Sequence, residues 1–260
     1  MSAMRAIIWR ELLRFLHQRE RFIAALIRPL VWLLIFGAGF RAALGLAIYP
    51  PYETYIRYET YIVPGLCGII LLFNGMQSAL SIVYDREMGS MKLLLVAPIS
   101  RKWMLLSKLI ASASVGLLQV WTFLLIAHLV DIRVELLGYI FATPAIFLTG
   151  LMLGSLGLAI STLISKLQNF AGVMNFVIFP MFFASTALYP LWRMQENAPW
   201  LANVVQLNPF SHGVELIRFT LYGKLEWLNL IVVLTCLLVF FGLALWGYQS
   251  RRNLLKRKFK

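Results

Sequence analysis

The sequence is poor in charge and poor in the residues that do chemistry. Only 13% of its 260 residues are Asp, Glu, Lys or Arg, where a soluble domain carries about 25%. With 60% hydrophobic residues and a mean hydropathy of +0.78, a soluble globular domain is excluded. The two cysteines, Cys67 and Cys236, each fall inside an apolar run. They read as small apolar residues, not as a disulfide or metal ligands. The three histidines, His17, His128 and His212, are far apart and lack metal-ligand spacing. The one Gly-Lys pair, Gly223–Lys224, has neither the earlier glycine nor the following Ser or Thr of a phosphate-binding loop. So the chain is not expected to hydrolyse ATP. Paired carboxylates and nucleophile motifs are missing as well. Ionisable residues are nearly absent from the apolar runs, which speaks against a proton relay. Internal repeats are not visible, which speaks against an inverted-repeat transporter. Arg5, Arg10, Glu11, Arg14, Arg19 and Arg21 interrupt any apolar core at the start, so the N-terminus does not read as a secretory signal.

What is present is a set of long apolar runs with basic ends. The runs Phe22 to Phe40, Tyr61 to Tyr84, Trp103 to Val130, Leu136 to Leu163, Phe170 to about Leu188 and Trp227 to Tyr248 each approach the ~20 residues that cross a bilayer. The net charge of +13 sits at their ends, which fits lipid headgroups and not nucleic acid. Six crossings place sixteen of the 24 Lys and Arg on one side and six in the opposite loops. By the positive-inside rule both termini are cytoplasmic. The expectation is an all-α membrane protein with six transmembrane helices.

Several runs carry finer marks. Met4, Ile8, Leu12, Phe15 and Leu16 share one helical face, while Arg10, Arg14, His17 and Arg21 share the other. That pattern predicts an interfacial amphipathic helix, or simply a basic flank that sets orientation. Arg28 is expected to snorkel to the cytoplasmic interface. Asn74, Gln77 and Ser78 lie on one face of the second run. Buried amides need partners, so this face packs on protein or lines a pathway, with helix packing the preferred reading. Gly150 and Gly154 form a GxxxG step that permits close helix approach. Pro180 should kink the fifth run. Asn175 and the nearby Phe179 either line an apolar route or face lipid. Residues 189–226 are too polar to span yet rich in Trp and Phe, which predicts two short half-embedded outer segments. There Asn208 can cap a helix with Pro209 at its first position, and Gly223 can end it. Glu215 and Arg218, three apart, can pair at the membrane edge.

Between the second and third runs lies Asp85 to Arg101, DREMGSMKLLLVAPISR. A turn needs only a few polar residues; this stretch has room for a helix, with Met91, Leu94 and Leu95 on one face. Pro98 ends it. It reads as an amphipathic helix at the membrane face, built to be gripped from outside, or as a solvated loop.

DREMGSMKLLLVAPISRKWMLLSKL resembles the loop of ABC type-2 exporter permeases: an acidic-Arg-Glu cluster, a glycine, a short apolar helix, a proline and an arginine. The basic amphipathic start, the Pro64–Gly65 pair after the first outer loop and the late NPF…ELIR segment, Asn208 to Arg218, stand in the order found in that family. The likeness covers nearly the whole chain. It extends in a general way to permeases associated with quinoprotein-dependent alcohol catabolism in bacteria, though no single site carries that.

The resemblance implies one permease domain. It holds an interfacial helix over 1–21, spans one and two over 22–84, and a coupling loop over 85–101. Spans three to five fill 102–188, an outer re-entrant segment 189–226, and the last span with its basic tail 227–260. It implies that Arg86, Glu87, Gly89, Met91, Leu94, Leu95, Pro98 and Arg101 engage a separate ABC ATPase, with Glu87 meeting a cation at the rim of its cleft. Pathway candidates are Asn74, Gln77, Ser78, Asn175 and Phe179; outer-gate candidates are Asn208, Pro209, Phe210, Glu215 and Arg218. The chain itself is expected to bind no cofactor, with ATP and Mg held by the partner. The assembly implied is two permeases with two ATPases in a bacterial inner membrane. The competing reading is a membrane-embedded binding or assembly protein with no transport of its own.

Overall fold

A computed structural model describes residues 5, 8, 9, 13, 19–40, 50–52, 56–88, 100–130, 132, 136–164 and 166–258. Among them there is no strand. The helices are α1 (Arg19–Phe40), α2 (Tyr58–Glu87), α3 (Arg101–Leu129), α4 (Leu136–Leu163) and α5 (Leu167–Phe183). Then come α6 (Leu191–Asn197), α7 (Pro199–Leu207), α8 (Pro209–Leu221) and α9 (Trp227–Lys258). Residues 58–87, 102–129, 137–163 and 227–248 form four helices long and apolar enough to cross a membrane. Phe22–Gly37 and Leu167–Phe183 are apolar but shorter. Of the expected interfacial helix, only Arg5, Ile8, Trp9 and Leu13 are described before α1, each in helical conformation.

α2 and α4 form the spine. α2 packs on α1, α3, α4, α5 and α8, while α4 packs on α2, α3, α8 and α9. In hydrocarbon no hydrophobic force draws helices together, so close backbone approach and polar ties must do it. The approach is made by glycine. A methyl group on Gly75 would come within 2.9 Å of the Gly154 backbone, and one on Gly157 within 3.0 Å of the Gly75 carbonyl. Of the expected GxxxG step, Gly154 meets Gly75 of α2, with Gly157 as its neighbour in the seam, while Gly150 lies at ordinary contact distance from Leu71 and Ala113. Asn74 adds a polar tie to α3, donating to the Ser112 carbonyl at 2.7 Å.

The fifth apolar run differs from its expected extent. α5 stops at Phe183, one turn after Pro180, so the proline lies in the last turn of the helix and not in its middle. Ser185 helps to form the stop: its hydroxyl donates to the Phe182 carbonyl and accepts from the Ala187 amide. A local side-chain bond of this kind competes with the helical ladder. The outer segment holds three short helices where two were expected, because Ala198 and Pro199 break α6 from α7.

Candidate functional site

Polar groups gather at three levels of the bundle, and the first gathering is at the C-terminal end of α2, the end that the positive-inside reading assigns to the inner side. Asp85, Arg86 and Glu87 are consecutive, and each reaches a different helix. Asp85 pairs with Lys108 of α3 at 3.0 Å. Arg86 donates to the carbonyls of Ser161, at 3.0 Å, and Ile164, at 3.2 Å, at the end of α4. It also donates to the Tyr248 hydroxyl of α9 at 3.1 Å. Glu87 accepts from the Leu167 amide, the first residue of α5, at 2.8 Å. The contacts to α4 and α5 suit their helix ends: a cation on orphan carbonyls, a carboxylate on an orphan amide. Three residues thus hold α2, α3, α4, α5 and α9 together at the mouth of the 89–99 stretch. Gly89, Met91, Leu94, Leu95 and Pro98 lie outside the described residues, and Arg101 opens α3. The engagement of Arg86 and Glu87 within the chain was not legible in sequence; nothing local marks partners some 80 residues away.

The second gathering is midway along α2. Arg28 is exposed, and its guanidinium lies over the Phe73 ring, 3.9 Å from the centroid. At an exposed site such a ring face stabilises a cation by about 0.5–1 kcal/mol. Beside it is a cavity of about 100 Å³ between α1, α2 and α3, lined by Arg28, Asn74, Gln77 and Gln119 among apolar walls that include Ile69 and Ile70. Gln119 is buried, and its side-chain oxygen has no hydrogen-bond partner. Sequence reasoning overlooked Gln119, whose signal was an amide alone in the apolar run of α3. The other pathway candidates are placed elsewhere. Ser78 is half-buried, its carbonyl accepting from Ser81. Asn175 is exposed on α5, and Phe179, also exposed, stacks on Phe183.

The third gathering is at the outer end. Arg218 of α8 is wholly buried. It pairs with Glu215, donates to the Thr186 carbonyl at 2.9 Å and lies 4.1 Å over the Tyr61 ring. The Glu215–Arg218 pair forms as expected, and it is buried within the bundle. The segment 184–190 leaves helix geometry, and its carbonyls must find donors at membrane depth. Tyr61 donates to Thr186 and Tyr58 to Leu188, both at 2.9 Å. A side chain on Gly65 would strike the Ala187 backbone. Asn208 serves two helices at once. Its oxygen accepts from the Phe210 amide to cap α8, and its nitrogen donates to Met181 and Ala184 at the end of α5. Pro209 holds the first position of α8, and Gly223, at φ 67°, follows its end. Phe210 is buried against Gly68 and Phe182.

Farther out, a chain of bonds runs from the Gln206 carbonyl through His212 and Asn229 to Glu226. Burial, and then the charge of Glu215, push the Glu226 carboxyl above its ordinary range; His212 and Asn229 pull it back in part. Burial also raises the Tyr52 hydroxyl. No group of three or more His, Cys, Asp or Glu able to hold a metal occurs among the described residues.

A bundle of apolar helices, joined by polar clusters at both ends and enclosing an arginine-bearing cavity, defines a multi-pass membrane protein. The chain matches the family model for ABC-2 type transporters over residues 2–222 and belongs to that family. It is 31% identical over 228 residues to a protein named transport permease ycf38 of Porphyra purpurea, covering 85% of this chain and 74% of that one. It is 30% identical over 173 residues to a protein named multidrug ABC transporter permease YbhR of Escherichia coli K12, covering 64% and 45%. It is 22% identical over 225 residues to the daunorubicin resistance ABC transporter permease protein DrrB1 of Streptomyces coeruleorubidus, covering 85% and 76%. The protein is a transmembrane transporter subunit. Members of the family are transport subunits and not enzymes themselves, and the family implies an ABC ATPase partner.

Proposed function

We propose that this chain is the membrane half of an ATP-driven exporter, worked by a separate ATPase that grips residues 85–101. The observation that carries the reading is the cluster at the inner end of α2, where Asp85, Arg86 and Glu87 join that stretch to the ends of α4 and α5 and to the flanks of α3 and α9. A displacement applied there acts on five helices together. A solvated connecting loop has no use for such ties. ATP-driven closure of the partner would then shift the bundle between states that differ in affinity for cargo. Two permeases and two ATPases form the assembly, each permease crossing a bacterial inner membrane six times with both termini cytoplasmic. The outer helices α6 to α8 close the exit side. Met91, Leu94 and Leu95 present one apolar face, and buried aliphatic anchors of this kind dominate such contacts at about 1–3 kcal/mol each.

Leu94→Asp is the test. The variant chain should still reach the membrane, because position 94 lies outside the bilayer in this reading. Co-purification of the ATPase and cargo-stimulated hydrolysis should fall at least about tenfold. Unchanged capture and unchanged hydrolysis would return residues 85–101 to the status of a loop.

A further inference from the structure

The cavity between α1, α2 and α3 is built around a cation that lacks a carboxylate partner among the described residues. Arg28 is exposed and lies on Phe73, and the carboxylate pairs at either end of the bundle, Asp85–Lys108 and Glu215–Arg218, are formed elsewhere. An arginine on an apolar helix is best matched by an anion, and an aromatic face supplies only part of that counter-charge. We propose that the cavity takes the acidic head of an amphiphile, with Arg28 as its counter-charge.

The walls set the rest of the chemistry. Guanidinium favours planar or tetrahedral oxyanions, such as carboxylate, phosphate or sulfate, which it binds with two parallel N–H donors. The Gln119 oxygen is buried without a partner, so the preferred head also carries a hydroxyl or N–H next to the acidic group. A volume of about 100 Å³ admits a head and not a whole molecule. A tail would leave along the exposed apolar side chains Ile27 and Val31, which flank Arg28 on α1. Water alone could fill such a space, but water does not neutralise the arginine. The same head could belong to a membrane lipid or to a transported amphiphile.

Binding here is a property of this chain alone, so its outcome is separate from that of the Leu94→Asp test. The full-length chain is placed in phosphatidylcholine nanodiscs and titrated with dodecyl phosphate, with native mass spectrometry counting what stays bound. One saturable equivalent per chain is expected. Arg28→Gln should weaken it about tenfold or more, while Arg28→Lys, which keeps the charge but loses the paired donors and the stacking on Phe73, should fall between wild type and Arg28→Gln. Gln119→Leu should leave dodecyl phosphate almost unchanged, because that probe lacks the second donor, and should weaken lauroyl-glycerol phosphate about threefold. Uncharged dodecanol should bind wild type and Arg28→Gln alike, which also shows that the variant is folded. Equal binding of dodecyl phosphate by wild type and Arg28→Gln, or only unsaturable partitioning, would overturn the proposal. A second arm adds phosphatidylglycerol to the nanodisc. Competition with dodecyl phosphate supports the site and assigns it to a lipid; a constant unaffected by the added lipid supports it and assigns it to a transported amphiphile.

Discussion

Each end of this bundle is organised by one arginine that donates to backbone carbonyls, yet the two are surrounded differently. Arg218, at the outer end, is fully buried, neutralised by Glu215 one turn away, and laid on the Tyr61 ring. Arg86, at the inner end, is half-buried and among the described residues bonds only to neutral oxygens at the end of α4 and on α9, while the carboxylates beside it in sequence serve other helices. A buried charge that carries its own counter-ion is fixed, because moving either partner exposes the other to a medium that cannot solvate it. A half-buried charge on helix ends can exchange those partners for water at little cost. The outer end is therefore built to hold, and the inner end to transmit.

The largest effect should come from breaking the outer pair. Arg218→Met leaves Glu215 buried without its partner and should cost about 3–5 kcal/mol, seen as a large fall in the detergent melting temperature. Arg218→Met combined with Glu215→Leu should recover a good part of that loss; a double variant no better than the single one would contradict the account. Arg86→Met should cost less, about 1.5–3 kcal/mol for hydrogen bonds made by a charged group. Its larger mark should be on coupling: ATPase capture retained, cargo-stimulated hydrolysis reduced. If Arg86→Met lowers the melting temperature as far as Arg218→Met does, the contrast between the two ends fails.

The smallest effect concerns pH. Glu226 is an acid whose pKa is raised in the fold above its ordinary value of 4.5. The folded state therefore binds the proton more readily than the unfolded one. Stability falls as pH rises through the window just above that value. Glu226→Gln removes the dependence, so wild type should lose slightly more stability than the variant between pH 4.5 and neutrality. Because Glu226 is only half-buried, solvent screening keeps the difference small.

How much of this could be read beforehand follows from the range of each signal. α2, α3, α4 and α9 announce themselves as long apolar runs, since hydropathy is a sum over neighbours in sequence. Asn208, Pro209 and Gly223 mark the ends of α8 through purely local chemistry. The Glu215–Arg218 spacing gave the pair but not its depth, because depth depends on which helices cover it. The contact of Arg28 with the Phe73 ring joins two helices and has no local mark in sequence. The partners of Arg86 and the lone oxygen of Gln119 depend on helix rotation and on separations of many tens of residues. No window along the chain contains that information. The early end of α5 at Phe183 turned on a single hydroxyl, that of Ser185, acting against an otherwise continuous apolar run.

The glycine seam between α2 and α4 has a mechanical consequence. Where Gly75 meets Gly154 and Gly157, no side chain stands between the two backbones. Side chains act as springs, since they can change rotamer to absorb a shear. Main chains in direct contact cannot. The two helices must therefore turn as one rod, and a torque applied at its inner tip arrives at its outer end undiminished. That outer end is where Gly65 of the same α2 rests on the backbone of Ala187. The shaft carries no slack at either of these bearings, and any play in the machine has to lie in the helices hung around it.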